Sequence, residues 1–326
     1  MASSDVFFVA AQNLLSPPVL AFALGLIAVS VKSDLRLPEA VYQALSIYLL
    51  LAIGIKGGVA LRETEPSEVW LPLLVTLALG IVIPLAAYLV SGWLTPLDGV
   101  NRGALAAHYG STSLVTFTAA LVFLDASGVP AEGFMTTLLA VLEVPGIIIG
   151  LLLAARGRST QLAWSEVLRE VLSGKSIVLL VGGLALGFAI GQTGYLAVEP
   201  FFGGLFTGVL TLFLLELGVV AGRRLPDVRL AGPGVAVFAI VFPLFAGSLG
   251  VLAGTVAGLS VGGATLLGVL SASASYIAAP TAVRLAVPEA SPGIYLTASL
   301  GITFPFNLVV GVAAYYWFAT AIQGVI

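Results

Sequence analysis

The chain has 326 residues, of which 59% are hydrophobic and only 9% are charged, and its formal net charge is −3. Because a soluble domain carries about 25% charged residues, this composition predicts an integral membrane protein. The absence of cysteine excludes disulfides and Cys-based metal sites, the single histidine argues against a His-cluster metal site, and the lack of a basic run argues against a nucleic-acid binder.

Ten apolar runs approach the length of about 20 residues that a helix needs to cross a membrane. The runs are 15–31, 40–61, 70–93, 103–124, 133–154, 175–193, 201–222, 234–258, 261–285 and 292–322. The one long polar connection covers 155–174, where Trp164, Val167, Leu168 and Val171 have the spacing of an interfacial amphipathic helix. We therefore predict an all-α protein with a first five-helix repeat at 1–154, a linker at 155–174 and a second repeat at 175–326.

The second half of the chain repeats features of the first half about 160 residues later. The matched positions are Gly103-Ala104 with Gly263-Ala264, Ser111 and Ser113 with Ser271 and Ser273, and Pro145 with Pro305. Paired halves with helix-breaking residues in matching apolar segments are typical of transporters, because alternating access needs two similar scaffolds around a central site.

The basic residues predict the orientation. Of the thirteen Lys and Arg residues, all but Lys56 and Arg62 fall on one side of the ten-span topology. By the positive-inside rule that side is cytoplasmic, and both termini lie outside. Because each repeat has an odd number of spans, the second repeat enters the membrane with the opposite orientation. We expect a 5+5 inverted repeat in a multi-pass protein of a bacterial inner (plasma) membrane.

The fourth and ninth spans carry clustered polar residues at mid-bilayer depth. The clusters are His108, Tyr109, Gly110, Ser111, Thr112, Ser113, Thr116 and Thr118, and Ser271, Ser273, Ser275, Tyr276, Pro280 and Thr281. A single Ser or Thr usually bonds to its own helix, but two matched clusters favour a site. Backbone unwinds at this depth only where it is buried in protein or lines a cavity, so we predict two discontinuous helices that cross in the core. Their half-helix ends offer N–H groups to a small anion and carbonyl groups to a small cation.

Two carboxylates, Glu143 and Glu216, lie within apolar spans. Each should face the bundle interior and either pair, bind a cation or take up a proton, because an ionised carboxylate is costly there. For Glu143 both cation or proton coupling and a structural role beside the Pro145 kink stay open. Asn307, from the matching region of the second repeat, and His108, which can titrate near neutrality, are further candidates.

Several segments, in order along nearly the whole chain, carry a family resemblance. They are Leu37-Pro38-Glu39-Ala40, Gly54 to Arg62, Gly110-Ser111-Thr112, Glu143-Val144-Pro145 and Ala272 to Ile277 with Pro280 and Arg284. Together they resemble the SbtA-type sodium-dependent bicarbonate transporter (permease) family. The resemblance implies a mobile core domain and a scaffold or gate domain, a homotrimer, and sodium-coupled uptake of bicarbonate, with sodium as the coupling ion and no other cofactor.

The resemblance also implies the site residues. The substrate would bind at Gly110, Ser111, Thr112, Ser113, Ser273, Ala274, Ser275 and Tyr276, and sodium at Ser111, Ser273, Ser275 and Glu143. Cyanobacterial members have a Ser-Ser-Ser-Asp run whose acid helps to bind sodium, whereas Tyr276 stands at the position of that acid. A neutral phenol cannot supply this charge, which leaves Glu143 and backbone carbonyls, or a different coupling. The linker is much shorter than in those relatives, which argues against regulation through it by a cytoplasmic PII-like partner.

The leading hypothesis is therefore a secondary active transporter, not an enzyme, that takes up a small anion, with bicarbonate as the first candidate, together with sodium. One alternative is a transporter of the same fold for another small carboxylate, with proton coupling as an option. A remote alternative is an intramembrane serine hydrolase that uses Ser111 or Ser271 with His108, although proteolysis needs no duplicated helix. A passive channel would need a continuous polar stripe, which the spans lack.

Overall fold

The computed structural model describes residues 14–156 and 164–324, and these residues form helices and connecting segments but no strand. Eight helices or joined helix pairs are long and apolar enough to cross a membrane, and Pro17–Ser30 and Val261–Ala272 are shorter apolar helices. The helices of the described residues and their apolar composition agree with the prediction of an all-α membrane protein. The ten-span inverted repeat stays a prediction. The two chain ends and residues 157–163 of the predicted linker lie outside the described residues.

The helices follow the apolar runs closely. The first half contains α1 (Pro17–Ser30), α2 (Glu39–Glu63), α3 (Pro66–Leu94), α4 (Gly99–Gly110), α5 (Leu114–Ala126) and α6 (Met135–Ala155). The linker contributes α7 (Trp164–Leu172), and the second half continues with α8 (Lys175–Leu196), α9 (Glu199–Phe202), α10 (Phe206–Arg224), α11 (Asp227–Ala231), α12 (Pro233–Val256), α13 (Val261–Ala272) and α14 (Ala278–Ala286).

The last span is irregular. It begins with α15 (Pro292–Leu296), passes through two π-helical stretches, Thr297–Thr303 and Asn307–Gly311, on either side of α16 (Phe304–Phe306), and ends with α17 (Val312–Gln323). π-Helical turns within membrane helices are frequent near functional sites.

The helices pack in two groups. In the first, which we call the four-helix group, α1 packs against α10 and α2 packs against α8. In the second, which we call the crossing group, α3, α4 and α6 pack on one another, as do α12, α13 and α17, and α3 joins the two sets through α12. α14 belongs to the crossing group, because it packs against α4 and α6.

Glycines set the distance between α2 and α8. A Cβ atom on Gly58 would lie 2.1 Å from the carbonyl oxygen of Leu184, and one on Gly187 would lie 2.0 Å from that of Ile55. No side chain fits in this space, so the two helices touch backbone to backbone, as small residues allow in membrane helices.

The predicted amphipathic helix of the linker is present as α7. Val167 and Val171 are buried, whereas Leu168 is 37% exposed. α7 packs against α14, so its apolar face covers one of the two short helices that follow the predicted crossing.

Candidate functional site

Both predicted helix interruptions are present in the structure. α4 ends at Gly110, the backbone is extended at Ser111 and Ser113, and α5 begins at Leu114. In the second half α13 ends at Ala272 and α14 begins only at Ala278. Each interruption leaves backbone N–H and C=O groups without partners in their own helix.

The two interrupted segments bind each other directly. The backbone N–H of Ser113 donates to Ser273 Oγ over 2.9 Å, and these two residues are 160 positions apart, which is the spacing of the repeat. The N–H of Ser275 donates to the carbonyl oxygen of His108 over 2.8 Å. In a soluble protein, water could bind these backbone groups. Here each interrupted segment provides hydrogen-bond partners for the backbone of the other.

A small cavity of about 20 Å³, which we call the central cavity, lies beside this crossing. It is lined by Leu50, Thr112, Ser113, Leu114, Leu139, Glu143, Ser176, Ser275, Tyr276, Ile277 and Ala278. The volume is sufficient for one water-sized species. Five of the predicted site residues thus come together here, from α6 and from both interrupted segments.

Glu143 brings the only carboxylate among the described residues that line this cavity. Its side chain is 6% exposed and forms no hydrogen bond or ion pair with another described residue. Two positions later, Pro145 lies inside α6 and has no N–H to offer to the carbonyl of Val141. A buried, unpartnered carboxylate is costly when ionised, so its charge requires a cation or a proton.

The hydroxyl groups that line the central cavity differ in how much of their hydrogen-bonding capacity is unused. Ser113 Oγ accepts from both the N–H and the Oγ1 of Thr116 and donates to Tyr276 Oη over 3.2 Å, so its one donor and two lone pairs are all used. Thr112 Oγ1 is buried and has no partner among the described residues. Ser275 Oγ accepts one backbone N–H and keeps a lone pair. Thr112, Ser275 and Glu143 are therefore free to bind an ion.

Sequence reasoning missed Ser176, the second residue of α8. Ser176 is 7% exposed, lines the central cavity and forms no hydrogen bond with another described residue through its side chain. A serine directly after a polar linker has the pattern of a membrane-interface residue, so its position in the sequence does not indicate that it lines a cavity. The one available signal is the repeat, because a spacing of 160 residues matches Ser176 with Ser16, just before α1.

Four predicted site residues do not line the central cavity: Gly110, Ser111, Ser273 and Ala274. Ser273 Oγ accepts the N–H of Ser113 and donates to the carbonyl oxygen of Leu270, so it holds the crossing together. Ser111 Oγ is buried and has no partner among the described residues. Among the predicted sodium ligands, the structure therefore groups Ser275 with Glu143 and leaves Ser111 and Ser273 outside the cavity.

Asn307 and Glu216, two further candidates, satisfy backbone groups. The Asn307 amide donates to the carbonyl oxygen of Ala272, the last residue of α13, over 2.9 Å, and its own oxygen accepts from Tyr315 Oη. Glu216 Oε2 accepts the N–H of Leu37 over 2.8 Å. Both residues therefore stabilise the scaffold of the site from outside the central cavity.

His108 lies behind the crossing. Its Nδ1 hydrogen-bonds with the carbonyl oxygen of Ala104 over 2.7 Å, and its ring stacks on Tyr295 with centroids 4.4 Å apart. Its Nε2 is buried and has no partner within residues 14–156 and 164–324. The bond between His108 and a serine that the hydrolase alternative requires is therefore not formed.

Three larger cavities lie at the ends of the molecule. The linker-end cavity, of about 360 Å³, is lined by Gln43, Ile147, Glu170, Val171, Gly174, Lys175, Ser176, Ile277, Ala278, Thr281 and Ala282. A cavity of about 460 Å³ includes Arg36, Arg223 and Arg224 and reaches Tyr276. The third, of about 300 Å³, includes Lys56, Asp125 and Glu132 and shares no lining residue with the central cavity. The first two do share lining residues with it, so the central cavity adjoins the linker end.

The comparison with protein families gives a match over nearly the whole chain. Residues 17–320 match the family model described as the Na+-dependent bicarbonate transporter superfamily. The matched range includes both interrupted helices and Glu143. A comparison with curated proteins gave no match.

Proposed function

The chain belongs to the Na+-dependent bicarbonate transporter superfamily, and from this premise we propose that it takes up bicarbonate together with sodium as a secondary active transporter. The observation that carries the proposal is the buried carboxylate of Glu143, which has no partner among the described residues and faces a water-sized cavity where two interrupted helices cross.

Sodium fits the central cavity in charge and in size. A monatomic cation neutralises Glu143 and accepts oxygen ligands from Thr112, whose hydroxyl has no partner among the described residues, and from Ser275, which keeps one lone pair. Interrupted membrane helices commonly coordinate sodium with exposed oxygen atoms. Glu143 then supplies the negative charge that Tyr276 does not.

Bicarbonate would bind beside the sodium ion, near the beginnings of α5 and α14. Helix N-termini carry partial positive charge and free N–H groups, which favour an anion. Tyr276 Oη accepts from Ser113, so its own proton is free to be donated. Because about 20 Å³ holds one water-sized species only, the anion enters when the crossing group moves and widens the cavity.

This arrangement would couple the binding of sodium to the binding of bicarbonate. When Glu143 is ionised and no sodium is bound, its charge repels an anion across a region of low dielectric constant, whereas with sodium bound the site is neutral and the helix ends attract the anion. The affinity for bicarbonate therefore rises when sodium is present, and by linkage bicarbonate raises the affinity for sodium.

The packing of the helices supports alternating access by an inverted repeat. The predicted repeat relates α1 to α8 and α10 to α2. The contact of α1 with α10 therefore has a counterpart in the contact of α8 with α2, and the structure contains both contacts. In the same way, the contact of α3 with α4 has a counterpart in that of α12 with α13. Two such halves can carry one site between opposite sides of the membrane.

Transport assays in proteoliposomes test the proposal. Labelled bicarbonate should enter faster with an inward sodium gradient than with an equal potassium gradient. Glu143→Gln should reduce uptake in sodium to the level in potassium, because the amide provides no charge for the cation. The matched control is Glu68→Gln, which changes an exposed carboxylate at the start of α3 and should leave uptake unchanged.

Two outcomes would contradict the proposal in different ways. Equal uptake in sodium and in potassium would contradict sodium as the coupling ion. Sodium-stimulated uptake of another small carboxylate, with no uptake of bicarbonate, would contradict bicarbonate as the substrate.

A further inference from the structure

The walls of the central cavity come from both groups of helices. Glu143, Leu139 and the two interrupted segments belong to the crossing group, whereas Leu50 of α2 and Ser176 of α8 belong to the four-helix group. Ser176 is therefore the one polar side chain that the four-helix group contributes among the described lining residues.

Ser176 also stands between two cavities. Ser176, Ile277 and Ala278 line both the central cavity and the linker-end cavity of about 360 Å³. The side chains of Ile277 and Ala278 are apolar. The hydroxyl of Ser176 is thus the only side-chain oxygen in this shared wall, and it forms no hydrogen bond with another described residue.

We infer that Ser176 is a ligand of the transported cation, supplied by the four-helix group, and that it is the oxygen past which the cation leaves toward the linker-end cavity. The inference rests on the proposed sodium coupling and adds a residue that neither the repeat clusters nor the family resemblance assigns. On this inference both groups of helices contribute ligands to one cation site: the crossing group provides Glu143 and the interrupted segments, and the four-helix group provides Ser176.

The physical consequence is a difference in affinity between states. When the crossing group moves relative to the four-helix group, Glu143, Thr112 and Ser275 move with it, but Ser176 stays behind. The cation then has one oxygen ligand fewer. A ligand shifts an equilibrium between two conformations only by its difference in affinity for them, so Ser176 favours the conformation described here while sodium is bound.

Sodium titration of the purified protein tests this role directly, because a cation that binds the folded state raises its thermal stability. Ser176→Ala should raise the sodium dissociation constant about tenfold, the scale on which loss of a supporting group weakens ion sites. Ser176→Thr keeps the hydroxyl and should retain the affinity. Ser173→Ala is the matched control, since Ser173 lies three residues before Ser176, is exposed and lines neither the central cavity nor the linker-end cavity.

Transport provides a second readout that a merely structural role would not give. In proteoliposomes Ser176→Ala should raise the sodium concentration for half-maximal uptake and change the maximal rate much less. If Ser176→Ala does not fold, Ser176→Cys serves in its place, because a thiol is a poor ligand for a hard cation.

The outcomes separate this inference from the proposed function. An unchanged sodium dissociation constant in Ser176→Ala, together with loss of sodium binding in Glu143→Gln, would overturn the role of Ser176 and leave sodium coupling intact. A wild-type protein whose stability does not respond to sodium would overturn both.

Discussion

Tyr276 occupies a position between the central cavity and the cavity that carries three arginines. Its Oη accepts a hydrogen bond from Ser113, and its ring packs edge-on against Phe304 with centroids 5.5 Å apart. A neutral phenol held in this way can donate to an anion, but it adds no charge for a cation. The acid that is absent at this position is compensated in our account by Glu143.

Tyr276→Phe should therefore weaken bicarbonate binding and affect sodium binding little. The phenylalanine keeps the ring, removes the donor and leaves Ser113 Oγ without an acceptor. A hydrogen bond to a charged group contributes about 1.5–3 kcal/mol, so we expect the bicarbonate concentration for half-maximal uptake to rise about tenfold or more.

Tyr88→Phe is the control for this substitution, because the ring of Tyr88 stacks under Arg102 and its hydroxyl has no hydrogen-bond partner among the described residues. A larger change in sodium affinity than in bicarbonate affinity for Tyr276→Phe would contradict the assignment.

Residue types predicted much of the candidate site. Thr112, Ser113, Ser275 and Tyr276 stand out because polar side chains in an apolar span need partners, and Glu143 stands out for the same reason. Which serine faces the cavity was beyond the sequence, because that depends on the backbone dihedral angles of the extended segments. Ser273 is therefore used inside the crossing, while Ser275 reaches the cavity.

At the scale of elements, the contact between α2 and α8 shows how the four-helix group is built. The backbones touch where Gly54 faces Gly183: a Cβ atom on Gly54 would lie 2.9 Å from the Cα atom of Gly183. Lipid gives no hydrophobic drive for two membrane helices to associate, so this close contact has to supply the dispersion energy.

Gly187→Ala and Gly182→Ala form a matched pair on α8. The Cβ atom of the first would meet the carbonyl oxygen of Ile55 at 2.0 Å, whereas the Cβ atom of the second would have nothing within 4 Å. Gly187→Ala should lower the free energy of unfolding by about 1–3 kcal/mol, the usual cost of overpacking. Gly182→Ala should leave it unchanged or raise it by up to about 1 kcal/mol, because alanine favours helix.

Thermal unfolding in one detergent, with helix content as the signal, measures both variants. Equal destabilisation by the two substitutions would show that glycine flexibility, and not the close approach to α2, is what this helix needs.

The element boundaries were largely predictable, but the last span was not. Its apolar run predicted one long helix, whereas the structure has π-helical stretches at Thr297–Thr303 and Asn307–Gly311. Pro305 removes one helical hydrogen bond between them, and Thr303 Oγ1 donates to the carbonyl oxygen of Ala239 on α12. Such widened turns depend on tertiary partners, which hydrophobic periodicity does not contain.

At the scale of the whole molecule, the spacing of about 160 residues predicted two related halves, and the bond between Ser113 and Ser273 joins matched positions of the two. The division into a four-helix group and a crossing group was not predictable from spacing. α1 packs against α10, in the other half of the chain, and α2 packs against α8. Each group therefore contains helices from both halves, and only the packing shows which helices form each group.

In our account, movement of the crossing group relative to the four-helix group makes this fold a coupled transporter. We propose that Glu143 and the interrupted segments bind the ions within the crossing group, and that the four-helix group provides the surface against which the crossing group moves. Coupling then requires that the anion and the cation bind and move in the same step.

The flux of sodium itself tests this central claim most directly. In proteoliposomes with a clamped membrane potential and equal sodium on both sides, an inward bicarbonate gradient should drive labelled sodium inward, and Glu143→Gln should abolish that movement. Bicarbonate entry with no accompanying movement of sodium would contradict the account.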